Sequence, residues 1–103
     1  MSMFIYKITT KIYNDIEEEW LCWQKEVHIP DVMSTGLFYD HRFFKLLEQD
    51  ETDGKTFIIQ FYSENKSLYE TYRKQYSQKF TKKTVKKWGD KFNVFQSLLE
   101  SVQ

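Results

Sequence analysis

Three residues within six positions, Glu26-x-His28-x-x-Asp31, carry the side chains best suited to chemistry in this chain of 103 residues. A neutral imidazole at position 28 can take a proton from a substrate, and a carboxylate at position 31 can orient the ring and raise its pKa. The trio also offers metal-ligating atoms. It crosses a helix break at Pro30, however, and matches no standard ligand spacing, so no metal is expected. The structural alternative has His28 donating to a backbone carbonyl at a helix end while Asp31 caps the turn that Pro30 starts.

A second group lies further along the chain. Arg42, beside His41, has the forked geometry that clamps a carboxylate, or it pairs with a neighbouring acid. With Gln60 and Tyr62 it makes the expected ligand-binding set, next to His28 and Asp31 as the expected catalytic pair. Lys79, Lys82, Lys83, Lys86, Lys87 and Lys91 fall within thirteen residues and offer a solvated helix face or a surface for a phosphate-rich partner. Lys55, Phe57 and Tyr62 fit the aromatic signature of RNA-recognition modules. Thr56 and Ile58 replace its small residues, and Ile59 replaces its stacking aromatic, which argues against nucleic acid. No Gly-rich phosphate loop, Gly-x-Ser-x-Gly, Cys-x-x-Cys or His-Glu-x-x-His is present, and no cofactor is expected.

These residues need elements to hold them. Phe4 to Ile12 is β-branched and aromatic and reads as a strand. Asn14 is the expected N-cap of a helix whose apolar face is Ile16, Trp20, Trp23 and Val27. Pro30 is expected to end that helix and start a short turn, which Gly36 stops. Leu37 to Glu48 and Thr56 to Tyr62 read as a hairpin with a turn signal at Asp53-Gly54. Leu68, Tyr72, Tyr76 and Phe80 step by four and mark a second helix with a lysine-rich extension to Gly89. Phe92 to Leu99 is the last strand. The order β-α-β-β-α-β predicts one α+β domain over residues 1–103. Its expected fold is ferredoxin-like, a four-stranded antiparallel sheet with both helices on one face.

Two helices leave the other face of such a sheet open. The Phe57, Ile59, Phe61 set is uniformly apolar and belongs under the helices. The open face then holds Gln60 and Tyr62, with Asp40 and Arg42 on the same side. Such a face is too apolar to stay bare in water, so a homodimer that encloses a partly polar cavity is expected. An aromatic content of 18% points the same way. Net charge is zero, but residues 1–52 carry five basic and ten acidic side chains while residues 53–103 reverse that ratio, an asymmetry that helps copies meet. Cys22 is alone and expected to be half-buried, so no disulfide framework arises. No apolar run is long enough for a membrane span or a signal peptide, which makes the cytoplasm the expected location.

The run from Ile16 to Phe38, with Trp20, Trp23, Glu26 and His28-Ile29-Pro30-Asp31-Val32-Met33 followed by Thr35-Gly36, resembles a bacterial family of short proteins classed as a domain of unknown function. The resemblance extends to Ile59-Gln60-Phe61-Tyr62, Tyr69, Tyr72, Phe92, Phe95 and Leu98-Leu99-Glu100, and covers essentially the whole chain. It implies a fold and no activity. At fold level the chain is also similar to the dimeric α+β barrel superfamily, which includes cofactor-free monooxygenases and lactone isomerases. That similarity implies paired sheet faces around a pocket in which a His takes a proton from a phenol or enol, a role only His28 can inherit. The leading expectation is a homodimeric small-molecule-binding protein. The alternatives are a cofactor-independent enzyme with His28 as base and a binding module that uses the Lys79–Lys91 helix.

Overall fold

The alternating N-terminal run forms β1, Phe4–Ile12, the central strand on which the rest is built. The computed structural model describes residues 3–102, so the first two positions and the last of the expected 1–103 domain lie outside it. After β1 the chain enters one helical stretch: a 3-10 turn at Asn14–Ile16, α1 at Glu17–Trp23, a π-helical turn at Gln24–His28 and α2 at Ile29–Met33. Asn14 does not cap it; its side chain instead donates to the carbonyls of Glu51 and Thr52 at 3.1 and 3.3 Å, pinning the β-hairpin loop.

Pro30 does not end the helix. Ile29 keeps helical angles of φ −60° and ψ −46°, and its N–H reaches back five residues to the Gln24 carbonyl. A proline has no N–H for the carbonyl four residues earlier and its ring crowds that carbonyl. A widened π turn just before Pro30 makes room, so the helix continues. The extra residue also rotates the buried face. Trp20, Gln24, His28, Ile29 and Val32 face inward, whereas Val27, expected inside, is exposed. Cys22, expected to be half-buried, is exposed as well.

β2, Asp40–Lys45, is shorter than the sequence suggests, because Phe38 leaves strand geometry to plug the core. β3 runs Lys55–Ser63. Gly54 just before it passes so close to β1 that a Cβ there would run into the Ile12 carbonyl oxygen. Asn65 caps α3, Lys66–Gln75, by accepting the Leu68 N–H at 2.9 Å. The expected single second helix bends at Tyr76, where φ is −124°, and resumes as α4, Ser77–Trp88. Gly89, with φ of 61°, lets the chain turn into β4, Phe92–Glu100.

The four strands form one antiparallel sheet in the order β2-β3-β1-β4. Tyr6, Ile8 and Ile12 from β1 and Phe57, Ile59 and Phe61 from β3 lie under the helices. They pack against Trp20, Val32, Phe38, Tyr72, Phe80 and Trp88. Gln60, Tyr62, Asp40 and Arg42 occupy the open face, as the alternation predicts, together with Ile5, Lys7, Ile58, Phe44, Phe95 and Leu99. Among the described residues no helix is long and apolar enough to cross a membrane.

Candidate functional site

β4 is an edge strand that the helix layer covers only thinly, and most of its side chains are exposed or half-exposed. Between it and the helices a cleft of about 130 Å³ opens, floored by Tyr6, Ile8, Thr10, Val94 and Gln96. Trp20, Gln24 and His28 form one wall; Tyr72, Phe80, Thr81 and Thr84 form the other. The expected cavity was on the open face, but this cleft is on the covered one. The lining is mainly aromatic and aliphatic with a few polar groups, the usual make-up of a small-molecule site.

The π turn supplies the buried polar pair. His28 Nδ1 lies 2.7 Å from Gln24 Oε1. An amide oxygen only accepts, so Nδ1 carries the hydrogen and Nε2 keeps its lone pair. The ring stacks on Trp23 at 5.1 Å and meets Phe80 edge-on at 6.1 Å. Burial among these rings pushes the His28 pKa down to about 4; the Asp31 charge opposes this and Lys83 reinforces it. His28 is therefore neutral at physiological pH. Burial also pushes the Tyr6 pKa up to about 12 and raises that of Tyr72, so both phenols stay protonated.

Asp31 does not orient the ring by contact. It pairs with Lys83 at 3.7 Å, beside a polar recess lined also by Ser34, Thr35 and Lys79. The side chain that orients His28 is Gln24, which the sequence reading passed over. Its signal was the four-residue spacing to His28, which places two residues on one helix face.

The expected ligand-binding set is on the other side of the sheet. Arg42 pairs with Asp40 at 2.7 Å and lies over the Tyr62 ring at 5.8 Å. The Tyr62 hydroxyl donates to Gln60 Oε1 at 2.7 Å. Arg42, Gln60 and Tyr62 thus form one polar array, but no ligand in the cleft of the same protomer can touch it together with His28. Of the α4 lysines, Lys83 is tied to Asp31, Lys87 lies over Trp88 at 5.2 Å, and the following Lys91 pairs with Asp15 at 3.0 Å. Among the described residues no group of three His, Cys, Asp or Glu converges to hold a metal ion.

Helices on one face of an antiparallel sheet ordered β2-β3-β1-β4 define a ferredoxin-like fold. A dimeric ferredoxin-like protein from an uncultured marine organism matches at a TM-score of 0.71 with 13% identity, over 100% of this chain and 98% of that one. A second dimeric ferredoxin-like protein, also from an uncultured marine organism, matches at 0.71 with 18% identity, over 97% and 95%. SnoaB, a cofactor-independent oxygenase from Streptomyces nogalater, matches at 0.67 with 9% identity, over 97% and 94%. The chain itself belongs to the DUF4286 family, a domain of unknown function, whose model matches residues 3–102. None of the curated proteins matches it.

Proposed function

We propose that this protein is a cytoplasmic homodimer that binds a small, largely apolar molecule in the cleft between its helices and β4. The observation that carries the reading is the Gln24–His28 pair, buried in an aromatic cleft on a π turn. Such turns cost helix regularity and occur often at functional sites. A neutral imidazole with its lone pair free can accept one hydrogen bond from a ligand and so orient it. Thr81 is an exposed wall residue, and Thr81→Trp should fill the cleft without disturbing the core. A small molecule that co-purifies with the native protein is expected to be absent from this variant; equal retention by both would remove the cleft from consideration.

The homodimer rests on the open face. Phe95 is 69% exposed on β4, with Leu99 exposed further along the same strand and Phe44 at the opposite edge of the same face, apolar positions suited to covering by a second copy. The dimeric state of the solved ferredoxin-like neighbours supports the same assembly. In it Arg42, Gln60 and Tyr62 would face the partner. Phe95→Glu is expected to convert the dimer to a monomer, measured by light scattering behind size-exclusion chromatography. A wild type that is already monomeric at micromolar concentration would contradict the assembly.

A second reading is a cofactor-independent enzyme acting on a phenol or enol, with His28 as base and Asp31 contributing its charge. The oxygenase among the solved neighbours favours it. The depressed pKa of His28 weighs against it, because a base works best with a pKa near the operating pH. Loss of turnover in a folded His28→Ala variant would move this reading ahead of simple binding.

A further inference from the structure

We infer that the cleft selects an acid: an apolar, ring-bearing molecule with a hydroxyl or amino group toward His28 and a carboxylate-like anion held by Arg73. This rests on the cleft being the ligand site and adds the chemical class of its ligand. Arg73 sits at the C-terminal end of α3, and its Nη1 donates to Gln96 Oε1 at 3.1 Å. Its guanidinium also lies beside the Tyr6 hydroxyl and partly offsets the effect of burial there. Gln96 and Tyr6 both line the cleft.

Among the described residues no carboxylate pairs with Arg73. Arg42 differs in this respect, since Asp40 already neutralises it. A guanidinium has five N–H donors in a planar fork, and the bond to Gln96 uses only one, so Arg73 keeps the geometry that takes a carboxylate. A row of rings, His28, Phe80, Tyr72 and Tyr6, with successive centroids 6.1, 6.2 and 5.5 Å apart, separates the neutral lone pair of His28 from this cation. The matching ligand has a hydrogen-bond donor and an anion at opposite ends of a flat apolar body.

The test compares 6-hydroxy-2-naphthoate with 6-hydroxy-2-naphthamide by calorimetry on the intact protein. The two share body and donor and differ in the anion. The acid is expected to bind about tenfold tighter than the amide, a gap that Arg73→Gln erases and Arg73→Lys partly keeps. Arg73 is exposed, so neither variant threatens the fold. Equal affinity for acid and amide, or a preference that survives Arg73→Gln, would overturn the inference; if Thr81→Trp still blocks the amide, the cleft as binding site stands without it. If neither naphthalene binds the wild type, the cleft reading fails and takes the inference with it.

Discussion

Lowering the pH from about 7.5 to about 4.5 is expected to cost the wild type on the order of 2 to 3 kcal/mol more folding stability than it costs His28→Phe. Burial holds the His28 pKa at about 4 in the folded chain, against 6.5 for an unburied imidazole. Above pH 6.5 the ring is neutral in both states, and its full contribution is present. As the pH falls, the unfolded chain takes up the proton first, and stability is lost progressively between 6.5 and about 4. Asp40 and Asp50, whose pKa values hydrogen bonds from His41 and Thr52 hold below the ordinary carboxylate value, lose their contribution only below this window. The phenylalanine variant retains those carboxylates, so the difference between the two proteins isolates the imidazole. Urea titrations at both pH values measure it; parallel losses would show that His28 is not desolvated.

Trp20→Ala is expected to lose about 4 kcal/mol, a large share of the roughly 5–15 kcal/mol that stabilises a domain of this size. Trp20 is 1% exposed and packs on Phe57 at 5.3 Å and Phe43 at 5.9 Å, while also lining the cleft. Truncation there opens a cavity that the sheet cannot close. Trp20→Phe should cost much less, because the indole N–H it removes is buried and has no acceptor. The ratio of the two losses, read from urea midpoints, checks the packing directly. A Trp20→Ala variant within about 1 kcal/mol of wild type would mean that the indole is not in the core.

The parts of the fold legible in the sequence were those with a regular period. Alternation placed the two faces of β3 and put Asp40 and Arg42 of β2 on the open side, and the four-residue step from Leu68 to Phe80 marked the second helical stretch. The π turn was not legible, because an apolar face traced at ordinary helical spacing put Val27 inside and passed over Gln24. The missed turn also hid the partner of His28: Gln24 makes the contact expected of Asp31, and Asp31 pairs with Lys83 instead. Arg42 and Arg73 are equally plain as letters. Only the structure shows that Asp40 neutralises the first while the second touches cleft-lining residues without an acid partner. The cleft itself depends on how far the helices reach over β4, a packing property that no local pattern encodes.

Native mass spectrometry of the gently purified protein, wild type beside Thr81→Trp, tests the central claim most directly. The account predicts a dimer whose mass exceeds two chains by a retained small molecule, and a bare dimer for the variant. A monomer without added mass, or the same added mass in both proteins, would contradict it.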